Sequence, residues 1–126
     1  MDANRGEGWG KLDAGTPSYF RRINRSRIRF ERVLKNLIET ARARPIVIQS
    51  LFLKVSGEAM TRAELDAYCD RLNEMVNAGA QIKAVHAYTI ARPTPDDSAA
   101  KLSRTELDAT ARVIRKQTGL TVLTFD

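Results

Sequence analysis

Apolar residues recur with a helical period between positions 30 and 41. The members of this stripe are Phe30, Val33, Leu34, Leu37, Ile38 and Ala41. Their spacing places them on one side of a helix, and most of the positions between them are charged or polar. Pro45 follows the stripe and ends the predicted helix, because proline cannot extend the hydrogen bonding of the preceding turn.

The pattern changes at once into runs that predict strands. Residues 46–53 are nearly all apolar and begin with three β-branched residues, which favours a strand covered on both faces. Residues 82–90 form a second such run and residues 121–125 a third. Residues 9–14 alternate less clearly and predict a weaker first strand.

Two further helices are predicted by their start signals. The segments Thr61–Glu64 and Ser103–Glu106 each have the residues of a capping box, in which each end residue bonds the backbone of the other. Apolar stripes follow both boxes: Leu65, Tyr68, Cys69, Leu72, Met75 and Val76 after the first, and Leu107, Ala111 and Ile114 after the second. Thr16 before Pro17 predicts the start of a shorter helix near the N-terminus.

The centres of the predicted strands are evenly spaced. Leu12, Val47, Val85 and Val122 lie 35, 38 and 37 residues apart, the length of a βαβ repeat. The sequence therefore predicts an α/β fold, with four parallel strands alternating with three main helices. We expect one domain over residues 1–126, with residues 1–8 flexible. The pattern leaves two architectures open, a doubly wound layer and half of a β/α barrel with open strand edges.

Composition narrows the class of protein. Hydrophobic residues make up 43% and charged residues 29%, which is typical of a globular domain. No apolar run has the roughly 18–20 residues of a membrane helix, and the first residues do not have the apolar core of a signal peptide. We therefore expect a cytoplasmic protein without membrane contact. Cys69 is the single cysteine, so an intrachain disulfide and a metal site of several cysteines are excluded.

Positive charge is concentrated in one segment. Residues 20–44 contain nine lysines and arginines against two glutamates, a net charge of +7, whereas the whole chain is +6. A basic segment of this kind attracts phosphate groups, so weak RNA contact through residues 20–44 is one hypothesis. The alternative is that these side chains form an ordinary solvated helix face.

Four short segments carry a resemblance to a known family. They are residues 9–15 (Trp-Gly-Lys-Leu-Asp-Ala-Gly), 20–25 (Phe-Arg-Arg-Ile-Asn-Arg), 48–52 (Ile-Gln-Ser-Leu-Phe) and 85–93 (Val-His-Ala-Tyr-Thr-Ile-Ala-Arg-Pro). In this order and spacing they resemble radical S-adenosylmethionine proteins of the wyosine-forming and Fe–S oxidoreductase group. That family has an incomplete barrel of six β/α units. The resemblance implies that the first three predicted strands correspond to the fourth, fifth and sixth, so that the chain is the C-terminal half of a partial (β/α)6 TIM-like barrel.

The resemblance also implies a set of cofactor-binding residues at the carboxyl ends of the strands. Lys11 and Asp13, followed by Gln49 and Ser50, are expected to meet the methionine and ribose parts of S-adenosylmethionine. Three residues of the next strand and its loop are expected to hold the adenine: Tyr88, Thr89 and Arg92.

The residues themselves leave simpler roles open for several of these positions. Lys11 and Asp13 are also compatible with a salt bridge at a solvated strand end. Gln49 interrupts an apolar strand, and its amide can bond a neighbouring backbone instead of a ligand. His86 lies in an apolar strand and is compatible with a proton-transfer group, but a core or sheet-face histidine is the expected role. Cys69 is expected to be a small apolar core residue.

One departure from the family determines the expected activity. Radical S-adenosylmethionine enzymes hold a 4Fe–4S cluster through a C-x3-C-x2-C motif, and this chain does not contain that motif. We therefore expect no metal ligands and no catalytic residues here, and a fragment or truncated product that is inactive alone. S-adenosylmethionine and the cluster are implied only for an intact family member.

Two other functions remain as alternatives. One is a non-enzymatic basic α/β module that binds RNA or another phosphate-rich partner. The other is an interaction or folding fragment without activity. In either case the half-barrel interpretation predicts an open sheet edge, which a homodimer would cover.

Overall fold

The computed structural model describes residues 8–23, 28–55, 59–89 and 99–125. Within them the strands are β1 (Gly8–Lys11), β2 (Ile46–Leu51), β3 (Leu53–Val55), β4 (Ile82–Tyr88), β5 (Ala99–Lys101) and β6 (Val122–Phe125). The helices are α1 (Pro17–Ile23), α2 (Phe30–Ala43), α3 (Arg62–Asn77) and α4 (Arg104–Thr118). Residues 1–7, predicted to be flexible, lie outside the described residues, and Gly8 belongs to β1.

The sheet confirms the predicted α/β fold. Its spatial order is β1-β2-β4-β6, and every pair of neighbours is parallel. Each strand thus lies next to the long strand before it in the chain, as repeated βαβ units require. A second, smaller ribbon pairs β3 with β5 in antiparallel fashion.

The helices pack on one face of the sheet. Alternate strand residues such as Ile48, Val85 and Val122 point to this face and join the apolar stripes of α2, α3 and α4 in one core. Gly10 lies on the same face, where a Cβ atom would come within 2.4 Å of Leu37 on α2. The absence of a side chain at Gly10 therefore lets α2 approach β1 closely.

The predicted helix signals are largely confirmed. The Thr16 hydroxyl accepts a hydrogen bond from the backbone N–H of Tyr19 at 3.3 Å, as expected for the cap of α1. Ser103 and Glu106 form the full capping box of α4. The stripe of α3 is buried except for Val76, which is 42% exposed, so its predicted place in the core is wrong.

The strand boundaries differ from the prediction. The apolar run 46–53 is not one strand, because it is interrupted at Phe52 between β2 and β3. The Phe52 N–H still donates to the Tyr88 carbonyl at 2.9 Å, and its ring packs edge to face against Tyr68 at 5.5 Å. The run 82–90 ends as a strand at Tyr88, and β5 has no counterpart among the predicted elements. No helix of the described residues is both long and apolar enough to span a membrane.

Candidate functional site

The sheet face opposite the helices carries a mixed polar and aromatic surface, which we call the open face. Its members are Trp9, Lys11, Gln49, Leu51, His86, Tyr88, Leu123 and Phe125. They form rows across the strands, because neighbouring strands pair Lys11 with Gln49, Gln49 with His86, and His86 with Leu123. No described helix packs against this face. It is therefore the sheet surface on which a ligand or partner can be accommodated.

An aromatic band crosses the open face. The Trp9 ring reaches over β2 to His86, with ring centroids 5.3 Å apart, and His86 lies 5.0 Å from Phe125. Tyr88 contacts Phe125 edge to face at 5.9 Å. The Trp9–His86 and Tyr88–Phe125 pairs are edge to face and the His86–Phe125 pair is tilted, arrangements that are favourable for aromatic rings.

The band shields smaller residues beneath it and is itself partly in solvent. Val47 pairs with Trp9 across the sheet and is buried, although it does not belong to the core under the helices. Trp9 is 44% exposed, and Leu123 and Phe125 are each 46% exposed. The open face therefore exposes three large apolar side chains to solvent: Trp9, Leu123 and Phe125.

Lys11 and Asp13 lie together at the carboxyl end of β1, as predicted. The Lys11 ammonium is 3.6 Å from an Asp13 oxygen, and the other Asp13 oxygen accepts a 2.7 Å hydrogen bond from the backbone N–H of Leu51. Burial raises the pKa of Asp13, although the bond from Leu51 and the Lys11 charge partly oppose the shift. Asp13 therefore joins the ends of β1 and β2 with a carboxylate that the fold holds partly desolvated.

The raised pKa predicts how Asp13 affects stability. The folded chain keeps the Asp13 proton at pH values where the unfolded chain has released it. The contribution of Asp13 to the free energy of unfolding therefore decreases as the pH rises above 3.8, the ordinary pKa of this side chain. An amide oxygen can accept the Leu51 bond without this penalty. We expect Asp13→Asn to gain stability relative to the parent protein as pH increases from the acid range to neutrality, measured by urea denaturation. A difference between the two proteins that is constant with pH contradicts this expectation.

Ser50 lies on the opposite side of the sheet from Gln49. It is buried on the helix side, where its hydroxyl donates to the Leu12 carbonyl and lies 2.6 Å from the Tyr68 hydroxyl. Burial raises the pKa of Tyr68, which keeps this phenol protonated as a hydrogen-bonding group. Ser50 therefore holds β1 to α3 and is not on the surface that Gln49 and Tyr88 share.

The residues predicted to hold the adenine also separate in the structure. Tyr88 lies on the open face, whereas Thr89 is fully buried and accepts a 2.8 Å hydrogen bond from the backbone N–H of Leu102. Thr89 thereby fixes the chain that follows β5 against the end of β4. Arg92 lies outside the described residues.

Glu64 is a buried charged residue that the sequence prediction assigned to a different role. Its carboxylate turns away from the predicted capping box and binds the loop after β1. One oxygen accepts hydrogen bonds from the backbone N–H groups of Gly15 at 2.5 Å and Thr16 at 3.0 Å, and the other accepts from the Thr16 hydroxyl at 2.7 Å. Only the other half of the box is present, in which the Thr61 hydroxyl accepts from the Glu64 backbone. Glu64 thus fixes the position of the loop after β1, which contains Asp13.

Cys69 is a core residue, as predicted. It is buried in α3 on the helix side of the sheet. Burial raises the pKa of its thiol to about 11, with smaller contributions from nearby carboxylates. The thiol is therefore protonated at neutral pH, and thiols in that state are poor nucleophiles and metal ligands.

Comparison with known proteins agrees with this architecture. No protein-family model and no curated protein sequence matches the chain. The crystal structure of a radical SAM methyltransferase from Sphaerobacter thermophilus is similar over 93% of this chain, with a TM-score of 0.65 and 13% sequence identity. The match covers 33% of that structure, so this chain spans about a third of its length. At this identity the likeness concerns the fold alone, and the fold is that of a partial, TIM-like β/α barrel.

Proposed function

We propose that this chain supplies cofactor-contacting strands of a radical S-adenosylmethionine domain and requires another segment to hold the iron–sulfur cluster. The main support is the row of polar residues on the open face, Lys11 beside Gln49, in a sheet whose fold resembles that of a radical SAM methyltransferase. In parallel β/α folds, ligands bind at the carboxyl ends of the strands. Lys11, Asp13 and Tyr88 lie at that end.

The donor set fits the chemistry of S-adenosylmethionine. The cofactor has a carboxylate, an ammonium group, two ribose hydroxyls and a purine. Lys11 is suited to the carboxylate, Asp13 to the ammonium group or a ribose hydroxyl, and the Gln49 amide to either hydroxyl. Tyr88 offers an aromatic ring beside the purine. The role of these residues in the proposal is to bind and orient the cofactor.

The cluster does not fit this chain. A 4Fe–4S cluster is held by several cysteine thiolates. The sequence contains one cysteine, and Cys69 is buried under the helices with a raised thiol pKa. We therefore derive no radical chemistry from the chain alone. The cluster-binding residues must come from a different segment or polypeptide.

The experiment is an NMR titration of the 15N-labelled chain with S-adenosylmethionine. We expect weak binding, roughly millimolar, because only part of the site is present. Amide shifts should concentrate at Asp13, Gln49 and Tyr88. Gln49→Ala should weaken them, whereas Lys35→Ala on α2 serves as the matched control and should leave them unchanged. Saturating cofactor without shifts at these positions contradicts the proposal.

A second candidate function uses the surface of α2. Arg29, Arg32 and Lys35 line one shallow groove there, but Glu31 and Glu39 line it as well. A short RNA added to the same labelled sample distinguishes the two candidates. Shifts confined to α2 that weaken steeply with salt favour the RNA-binding module, because each neutralised phosphate releases counterions.

A further inference from the structure

We infer that the open face is the docking surface for a second copy of this chain, and that two copies close one β-barrel between them. The inference goes beyond the proposed function, because it concerns how the chain covers its own sheet. It rests on three observations: the strand edges, the aromatic band and the distribution of charge.

The two outer strands present matching edges. On β1 the backbone N–H groups of Gly8 and Leu12 donate to β2 and its flanking residue, so by alternation the backbone groups of Trp9 and Lys11 point away from the sheet. On β6 the carbonyls of Thr121 and Phe125 accept from β4 and its flank, so the backbone groups of Val122 and Thr124 point outward. The Arg115 guanidinium on α4 already donates to the Val122 carbonyl, at 2.6 and 3.2 Å, so a partner strand must displace Arg115 to use that acceptor. β1 and β6 run in the same direction, and β1 of one copy can therefore pair in parallel with β6 of another.

A two-fold axis along the strands satisfies both edges at once. Two copies bring together two four-stranded sheets. About eight parallel strands is the number whose barrel interior is filled by side chains alone. The bulky residues of the open face, such as Trp9, Leu123 and Phe125, would then occupy that interior. The carboxyl-end rim with Asp13 would stay at the mouth of the barrel.

The size of the open face favours edge pairing over simple stacking of two sheets. Four strands about 4.8 Å apart and some five residues long give a flat footprint of roughly 300 Å². A stable interface buries about 800 Å² on each partner. Face-to-face contact alone therefore falls short, so a stable dimer also requires the hydrogen bonds along both strand edges.

The charge distribution is compatible with this partner and does not favour nucleic acid on the same surface. In the paired rows of the open face and at the carboxyl end of β1, the charged residues are Lys11 and Asp13, which pair with each other. The basic side chains Arg32, Lys35 and Arg42 are on α2, on the other side of the sheet, so they do not repel a second copy placed on the open face. Base-stacking platforms instead combine aromatic rings with cationic side chains on one surface.

Trp9 makes the inference directly measurable, because it is the single tryptophan of the chain and lies on the open face. Sedimentation over micromolar to submillimolar concentrations should show a monomer–dimer equilibrium. The Trp9 emission should shift to the blue and become protected from acrylamide in step with the dimer fraction. A strict monomer with a quenchable Trp9 over this range overturns the inference, and quenching by RNA in such a monomer assigns the face to nucleic acid.

Variants test the geometry. Phe125→Asp should weaken dimerisation roughly tenfold or more, since it places a charge in the interface. Val76→Asp is the matched control, because Val76 is 42% exposed, close to the 46% of Phe125, but lies on α3. Thr124→Pro removes an outward backbone donor from the edge of β6 and should also weaken the dimer. A dimer that tolerates Phe125→Asp or Thr124→Pro contradicts barrel closure. Cofactor titration of monomeric Thr124→Pro tests the proposed function separately, because Thr124 pairs with Ala87 on the helix side, whereas Phe125 contacts Tyr88.

Discussion

Replacing Gly15 by alanine should destabilise the protein by about 3 kcal/mol or more, the upper part of the range for overpacking a buried site. A Cβ atom at Gly15 would lie 2.1 Å from the backbone nitrogen of Tyr68 and 2.5 Å from the carbonyl carbon of Ala67. Both atoms belong to the backbone of α3, which cannot yield as a flexible side chain can. The loop must therefore move away from α3, and its bonds to Glu64 are lost with it.

Gly119→Ala is the control for this variant. Gly119 has a φ of 71°, which disfavours alanine, but no atom lies within 4 Å of a Cβ placed there. Its loss should be about 1–2 kcal/mol, from backbone conformation alone. Guanidinium denaturation of both variants measures the two effects, steric contact and conformation, separately. If Gly15→Ala loses no more stability than Gly119→Ala, the close approach of the loop to α3 is not a constraint in solution.

Glu64→Gln should have the second largest effect, a loss of about 2–3 kcal/mol. Both carboxylate oxygens of Glu64 accept hydrogen bonds, from Gly15 and Thr16 through backbone groups and from the Thr16 hydroxyl. The amide keeps one oxygen for the two backbone N–H groups, loses the charge that strengthens these bonds, and turns an NH2 group toward the Thr16 hydroxyl, which must then accept instead of donate. The loop after β1 should therefore loosen, and amide exchange at Gly15 and Thr16 should accelerate.

The chain contains a matched control for this change as well. Glu106 occupies the same third position of a helix after a hydroxyl cap, but its carboxylate bonds its own capping residue, Ser103, near the surface. Glutamine can replace glutamate in such a box. Glu106→Gln should therefore leave the denaturation midpoint almost unchanged. Equal effects of the two variants would show that Glu64 acts as an ordinary capping residue.

This pair of glutamates also shows where sequence patterns stop being informative. Thr61–Glu64 and Ser103–Glu106 have the same spacing, and both predict a reciprocal capping box. The partner that diverts Glu64 is Gly15, 49 residues away in the chain. A local pattern does not contain that information. The available signal was the free backbone N–H groups at the start of α1, which require an acceptor from elsewhere.

For the strands, too, the sequence predicts what depends on local periodicity and does not predict what depends on distant contacts. Period and spacing predict four parallel strands because apolar runs and helical stripes alternate at the length of a βαβ unit, and that signal is local. The break at Phe52 depends on the Tyr68 ring that receives it, which belongs to α3. Likewise, alternation alone separates Ser50 from Gln49, but it does not say which face the helices cover. The open face is defined by the positions of the described helices, which depend on contacts between distant parts of the chain.

The match between spatial and chain order in the sheet has a consequence for how the molecule is made. β2 joins the edge of β1, β4 joins β2, and β6 joins β4. No strand has to enter between two that are already paired. During synthesis, domains form from the amino end as the chain emerges. Each β/α unit can therefore dock on an edge that is already in place, so the sheet can grow in step with translation.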